Sequence, residues 1–270
     1  MSLAFLSPST GAPSRSPMER QAAAAGASFE ERDGWSVSVR FDGLEAERAR
    51  ARSTVGFADL SHLGKVELQA PADALEAIAG VHLELGGATP MRGAPARDGA
   101  ASAPLGDGAA SAPLGDGAAS APACWWCPYT PTRALAVCGP AALPALRNRL
   151  QGAAAVHDGL ISVIDVTTAF AAIAIGGPLA REVFARFTAI DLRDPITPLR
   201  GFRPGSLGRT PGAILREGEQ RWLMLFGAAL GQYMWTVVAD AAETLGGGPV
   251  AADALEPVAG ARHEEAARRA

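Results

Sequence analysis

The chain has 270 residues, of which 48% are hydrophobic and 19% are charged, and its formal net charge is −4. This composition can bury a substantial core, which excludes disorder throughout, and it leaves no basic surplus for binding the phosphates of a nucleic acid. Because no apolar run reaches the roughly 18 residues that span a bilayer, we expect a cytoplasmic protein that binds neither nucleic acid nor membrane.

The first third of the chain carries alternating helix and strand signals. Residues 1–15 are rich in Ser, Pro and Gly without an apolar period, which predicts a disordered tail. Further on, hydrophobic residues at every second position are typical of half-buried strands, and runs of Ala, Glu and Arg favour helices. The predicted helices cover 17–25, 44–54 and 71–80, and the predicted strands cover 35–41 and 65–69.

A low-complexity segment interrupts the pattern at residues 86–123. The nine-residue unit DGAASAPLG occurs at 98–106, again at 107–115 and in part at 116–122. The unit is too short for a solenoid repeat and has no apolar face that could stack. We therefore predict a disordered insertion, since long surface insertions cost little in loop-closure entropy.

The remainder again mixes strands and helices. Two strands, 161–166 and 171–175, are predicted to pair, and a tight turn at Gly176-Gly177-Pro178 precedes the next helix. The regular βαβα order of a doubly wound sheet is absent, which favours an α+β protein. The other predicted strands are 133–138, 205–216 and 220–226, and the predicted helices are 140–151, 177–187 and 228–247.

The three cysteines, Cys124, Cys127 and Cys138, form an odd and sparse set that does not resemble the disulfide framework of a secreted domain. A Cys-x-x-Cys motif can hold zinc or cycle as a dithiol. A zinc site would need two further ligands, however, and Pro128 and Pro131 indicate a loop or an edge strand. We predict buried, reduced thiols beside core tryptophans, and no metal site.

Three segments carry a resemblance to a known family. VGFADLSHLGKVELQAP (55–71), VIDVTTAFAAIAIGGPLAREVFARF (163–187) and LREGEQRWLMLFGAALGQYMWTVVADA (215–241) occur in the order expected for aminomethyltransferases of the glycine-cleavage system. The third segment is also similar to the gamma subunit of heterotetrameric sarcosine oxidase. The chain thus resembles the folate-binding aminomethyltransferase family.

The resemblance implies a fold and a domain arrangement. The fold would be the α+β aminomethyltransferase N-terminal (folate-binding) fold, with mixed antiparallel sheets and packed helices, and without the family's C-terminal barrel. One domain of two intertwined subdomains would cover residues 16–258, carry the insertion at 86–123 and be followed by a tail at 259–270. The three segments would surround a cleft that accepts a pterin.

The resemblance also implies a function in one-carbon, sarcosine or glycine metabolism. Tetrahydrofolate would be the cofactor, and flavin-containing oxidase subunits would be the partners. Two motifs of this sequence differ from the family pattern. Where the family has an acidic pair, this sequence reads Ala123-Cys124-Trp125-Trp126-Cys127-Pro128. The family motif Arg-Thr-Gly-Tyr-Thr-Gly-Glu is shortened here to Arg216-Glu217-Gly218-Glu219. We therefore expect an isolated chain that is weak or inactive, or alternatively a structural subunit that has lost folate binding.

Asp59, Ser61 and His62 are the first candidate folate contacts. They could line the folate site, or they could cap a turn and satisfy backbone groups before the next strand. His62 is not expected to bind a metal, because no second ligand lies at a suitable spacing nearby.

The other candidate folate contacts come from two different segments. Arg209, Arg216 and Glu219 could hold the pterin edge or a carboxylate of the glutamate tail, or they could lie on a solvated strand face. Trp126 could stack on the pterin, or it could belong to the core. No catalytic residue is assigned.

Overall fold

A computed structural model describes residues 11–91 and 124–255. The predicted tail at 1–15 falls within the described residues only from residue 11, and Ser14–Arg15 form a short strand there. The predicted insertion at 86–123 lies outside the described residues from residue 92 onwards. The predicted tail at 259–270 lies outside them as well.

Helices form where the sequence offers good helix formers with a one-sided apolar face. In α6, Met234, Trp235 and Val238 are buried along one face. Helix α3 ends at Gly80, which adopts the left-handed conformation that favours glycine (φ +74°). The helices are α1 (Glu19–Ala24), α2 (Leu44–Ser53), α3 (Ala72–Ala79), α4 (Leu143–Ala154), α5 (Ala180–Ala185), α6 (Gly231–Glu243) and α7 (Ala252–Leu255).

The strands form a six-stranded, a five-stranded and a three-stranded sheet, in which nearly all neighbours are antiparallel. Their orders are β11-β12-β13-β10-β4-β14, β6-β7-β8-β5-β9 and β1-β3-β2. The strands are β1 (Ser14–Arg15), β2 (Ser28–Arg32), β3 (Trp35–Arg40), β4 (Gly56–Asp59), β5 (Gly64–Gln69), β6 (Thr89–Met91), β7 (Cys124–Thr130), β8 (Arg133–Cys138), β9 (Ser162–Asp165), β10 (Phe170–Gly176), β11 (Phe202–Leu207), β12 (Thr210–Gly218), β13 (Arg221–Gly227) and β14 (Gly248–Pro249).

The two large sheets pack face to face between two layers of helices. Buried residues of β7 and β8 meet buried residues of β10, β11, β12 and β13 in one apolar cluster. Helices α1, α5 and α6 cover the outer face of the six-stranded sheet, and α3 and α4 cover the outer face of the five-stranded sheet. Mixed strands and helices in this arrangement confirm the predicted α+β class.

The Cys-Trp-Trp-Cys motif forms part of β7, which lies between β6 and β8 rather than at an edge or in a loop. Successive side chains of a strand point to opposite faces. Cys124 and Trp126 therefore face α3 and α4, whereas Trp125 and Cys127 face the six-stranded sheet. The loop or edge-strand prediction was wrong for the motif because the two prolines lie after it: Pro128 is beyond the residues that pair with β6, and Pro131 is in the turn that follows β7.

Two further strand predictions differ from the structure. The segments at 161–166 and 171–175 do not pair: β9 pairs with β5, and β10 lies between β4 and β13. The predicted single strand at 205–216 is a hairpin, in which Gly208 and Arg209 both have positive φ angles (+53° and +64°). Two such residues form the tight turn that suits twisted antiparallel strands.

Within the described ranges, no helix is both long and apolar enough to cross a membrane.

Candidate functional site

The loop between β4 and β5 brings Asp59, Ser61 and His62 together. Asp59 is buried at the end of β4 and accepts hydrogen bonds from the Ser61 backbone N–H (2.9 Å) and from the Ser16 hydroxyl. Burial raises the pKa of the Asp59 carboxyl. The first of these bonds is an Asx turn, so the turn-capping interpretation holds for Asp59.

Lys65 is a further member of this cluster that the site prediction did not include. Its side chain is fully buried, and its ammonium donates hydrogen bonds to the carbonyl oxygens of Ser61 (2.9 Å), Leu63 (2.8 Å) and Thr167 (3.5 Å). Burial lowers the pKa of Lys65 to about 8. The sequence does contain a signal that could have pointed to this residue. Lys65 is the one lysine of the chain, and all of the other Lys or Arg residues are arginine.

The lowered pKa of Lys65 predicts a pH dependence of stability. Lysine in an unfolded chain titrates near pH 10.4, so between about pH 8 and 10.5 the unfolded state binds this proton more tightly than the folded state. The contribution of Lys65 to the free energy of unfolding therefore rises with pH across this window. In urea titrations, the free energy of unfolding of wild type should increase by on the order of 3 kcal/mol relative to that of Lys65→Met between pH 7.5 and 10.5.

The comparison with Lys65→Met removes other titrations from this measurement. The thiol of Cys124 also has a raised pKa, but both proteins contain it, so its effect cancels. The charges of Cys138 and Lys65 act on each other, so the measured difference belongs to this buried pair rather than to Lys65 alone. If the free energy of unfolding changed with pH in the same way in both proteins, Lys65 would not be buried as an ammonium.

His62 faces a small cavity next to Asp59. Ser16, Phe29, Trp35, Ser36, Val37 and Ser38 form the rest of its wall. The cavity volume is about 10 Å³, which is the space of one water molecule. Burial, followed by the charges of Lys65 and Arg32, lowers the pKa of His62 to about 4, so the imidazole is neutral at pH 7.

A larger groove also has Phe29 in its wall. It has a volume of about 430 Å³ and runs along β2 and β3 to the start of α2. Arg32 and Arg40 are among its lining residues. Arg32 forms ion pairs with Glu30 and Asp253, whereas Arg40 forms none with the residues that the structure describes. The residues lining the groove are Ser28, Phe29, Glu30, Arg32, Val39, Arg40, Gly43 and Leu44.

The predicted polar residues of β12 and its two turns separate into two places. Arg216 is buried, stacks over the Trp222 ring (5.1 Å to its centroid), forms an ion pair with Asp194 and donates to the Thr197 carbonyl (3.0 Å). Glu219 is adjacent and exposed, and its carbonyl oxygen accepts a hydrogen bond from Arg216 (3.4 Å). Arg209 is exposed in the turn at the opposite end of the strand.

Trp126 lies in the core between the five-stranded sheet and its helices, where it is fully buried. Its indole N–H has no hydrogen-bond partner among residues 11–91 and 124–255. The neighbouring thiols of Cys124 and Cys127 are free and buried, and burial raises the pKa of both, that of Cys124 to about 12. The prediction that the thiols are buried is confirmed.

The predicted site residues thus occupy four places: the loop after β4, the buried end of β12, the turn before it and the core beneath β7. Of the set, Asp59, Ser61 and His62 are in one cluster, and Arg216 and Glu219 are in another. Their assignment to a folate site stays a prediction. The described residues contain no group of three or more metal-ligating side chains.

Neither of the two cavities described above lies between the three family-like segments, and the expected cleft stays a prediction. The segments do come together, since β4, β10, β13 and β12 are neighbours in one sheet. Apolar side chains fill the space on both faces of that sheet. Phe202, Leu215, Leu223 and Leu225, which face the other sheet, have no exposed surface.

Comparisons with known sequences give short matches. No protein-family model matches the chain. A 56-residue segment is 43% identical to a "Probable aminomethyltransferase" of Halobacterium salinarum, and a 54-residue segment is 43% identical to an aminomethyltransferase of Picosynechococcus sp.. These matches cover 21% and 20% of this chain, and 15% of the length of each relative.

Comparisons with solved structures extend over most of the chain. A chain of the heterotetrameric sarcosine oxidase from Corynebacterium sp. U-96 matches with a TM-score of 0.59 and 20% identity, over 86% of this chain and 96% of that one. The glycine cleavage system aminomethyltransferase T of Bartonella henselae matches with a TM-score of 0.64 and 15% identity, over 89% and 60%. The fold of this chain is therefore the one shared by these two proteins.

Proposed function

We propose that this chain is a tetrahydrofolate-binding, aminomethyltransferase-like protein that works as a subunit of an amine-oxidising complex. The observation that carries the proposal is a fold shared with almost the whole of one chain of a heterotetrameric sarcosine oxidase. The short matches to aminomethyltransferases support the one-carbon part of the proposal. Because its acidic pair is replaced, the isolated chain is expected to show little or no turnover.

The groove along β2 and β3 is the proposed place for the folate. Its volume of about 430 Å³ lies in the usual range for small-molecule sites. Phe29 and Leu44 supply apolar surface for a flat ring, and the guanidinium of Arg40 is available to a carboxylate of the glutamate tail. Phe29 lines both the groove and the small cavity to which Asp59 and His62 belong.

Titration of the purified chain with tetrahydrofolate, followed by calorimetry, tests this site. We expect Arg40→Ala to weaken binding about tenfold, because it removes one charge-assisted hydrogen bond to a carboxylate. Arg52→Ala is the matched control: Arg52 is also exposed, in the last turn of α2, outside the groove. No binding by wild type would refute the folate part of the proposal, and equal weakening by both variants would refute the groove.

A structural subunit without folate binding is the second candidate function. The observation that favours it is the apolar packing between the two large sheets, where the buried side chains leave no exposed surface. This candidate predicts that wild type does not bind tetrahydrofolate in the titration above, while the chain still assembles with a flavin-containing oxidase subunit when the two are co-expressed.

A further inference from the structure

Strand β9 is an unprotected edge of the five-stranded sheet. Its one neighbour among the described residues is β5. Edge strands of natural sheets often carry proline, which lacks the N–H group that an added strand would need. The other edge strands of the two large sheets contain Pro90 (β6), Pro204 (β11) and Pro249 (β14), whereas β9 reads Ser-Val-Ile-Asp and contains none.

The register of β9 against β5 shows which of its backbone groups are free. The Val166 N–H donates to the Lys65 carbonyl (2.9 Å), so Val166 and Ile164 direct their backbone groups towards β5. Alternate residues of a paired strand direct these groups to opposite sides. The N–H and C=O groups of Val163 and Asp165 therefore point away from β5, and they have no hydrogen-bond partner in the part of the chain that the structure describes.

Apolar side chains border this edge. Ile164 is 48% exposed, and the connection from α4 to β9 exposes Val156 (82%) and Leu160 (92%). The one charged residue of β9, Asp165, forms an ion pair with Arg147 (3.7 Å), so a strand that covers the edge leaves no unpaired charge there. Free backbone groups beside exposed apolar side chains favour pairing with another strand.

A second copy of β9 matches this edge. When two antiparallel copies are related by a twofold axis at Ile164, Val163 of each copy lies opposite Asp165 of the other. Each such pair exchanges two hydrogen bonds, which uses all the free backbone groups of the strand, and the two Ile164 side chains meet at the axis. The joined sheet then ends at β6 of each copy, where Pro90 opposes further addition.

We propose that this chain forms a twofold dimer through antiparallel pairing of β9 with β9 of a second copy. The dimer requires neither folate nor an oxidase subunit. It is therefore tested on the chain alone, and its failure would leave the proposed function untouched.

Sedimentation velocity of the full-length chain over a range of concentrations tests the dimer. We expect a species of twice the chain mass of 27.6 kDa. Ile164→Lys should raise the dissociation constant at least about tenfold, because it places like charges opposite each other and removes an apolar contact. Ile196→Lys is the matched control, since Ile196 is 50% exposed in the connection between α5 and β11.

Three results of this experiment would overturn the proposal. They are a monomeric wild type, growth beyond the dimer, and a dimer that Ile164→Lys weakens no more than Ile196→Lys does. The first would leave β9 without a partner in solution. The second would contradict the closed twofold arrangement, and the third would place the interface elsewhere.

A mixture of two variants tests whether residue 164 lies opposite itself. Ile164→Lys and Ile164→Glu should each dimerise poorly, whereas an equimolar mixture should form a heterodimer, because opposite charges then meet at the axis. Circular dichroism checks that each variant is folded. Folded variants that form no heterodimer would overturn the twofold pairing. If either variant does not fold, Ile164→Ala adds no charge and should still weaken the dimer at least about threefold, and an unchanged dimer would overturn the pairing.

Discussion

Replacement of Gly177 by alanine is expected to lower the free energy of unfolding by about 4 kcal/mol or more. Gly177 has a φ of +128°, which side-chain-bearing residues rarely adopt. An added Cβ would overlap the carbonyl oxygen of Ala51 and lie 2.6 Å from that of Thr54. These backbone atoms cannot retreat easily, because Leu179 donates a hydrogen bond to the Thr54 oxygen (3.1 Å).

Gly152→Ala is the matched control for this experiment. Gly152 is exposed in helix α4, and no atom lies within 4 Å of the position that its Cβ would take. Alanine should stabilise the helix there by roughly 0.5–1 kcal/mol. Urea denaturation followed by circular dichroism measures both variants. A Gly177→Ala protein within 1 kcal/mol of wild type would contradict the packing of the turn against α2.

Removal of the Glu47 carboxylate is the second large effect that we expect. Glu47 has no exposed surface. One of its oxygens accepts hydrogen bonds from the backbone N–H groups of Phe41 (2.7 Å), Asp42 (3.1 Å) and Gly43 (3.1 Å), and the other accepts one from Ala251 (2.6 Å). Glu47→Ala leaves four N–H groups without an acceptor, so we expect a loss of about 4 kcal/mol.

Two companion variants separate the carboxylate from the side-chain volume. Glu47→Gln retains one acceptor oxygen but turns an amide donor towards an N–H group. It should therefore lower the free energy of unfolding by about half as much as Glu47→Ala. Glu45→Ala is the control on the same helix, because the Glu45 side chain is 82% exposed and should change stability by less than about 0.5 kcal/mol. Chemical denaturation gives all three values. A small loss in Glu47→Ala would mean that water replaces the carboxylate.

Local periodicity was sufficient to predict many of the elements. The alternation around Trp35 and Val37 predicted β3, and the helix predicted at 228–247 is α6. Strand pairing was not predictable in the same way. Residues 161–166 and 171–175 are close in sequence, yet β9 and β10 belong to different sheets, because sheet membership depends on contacts between distant residues.

The candidate site was predictable only where its members are close in sequence. Asp59, Ser61 and His62 meet because one short loop carries all three. Ser16 reaches Asp59 from 43 positions away, and Ser38 reaches the cavity from another sheet. Their roles depend on tertiary packing, for which the sequence carries no local signal.

The pairing of β6 with β7 has a practical consequence for engineering the chain. Met91 and Cys124 are direct cross-strand partners, so the first described range ends, and the second begins, at adjacent positions of one sheet. A two-residue hairpin turn can connect such partners without moving either strand. The same junction offers a permissive location for an affinity tag or a fluorescent reporter, away from the groove and the Asp59 cavity.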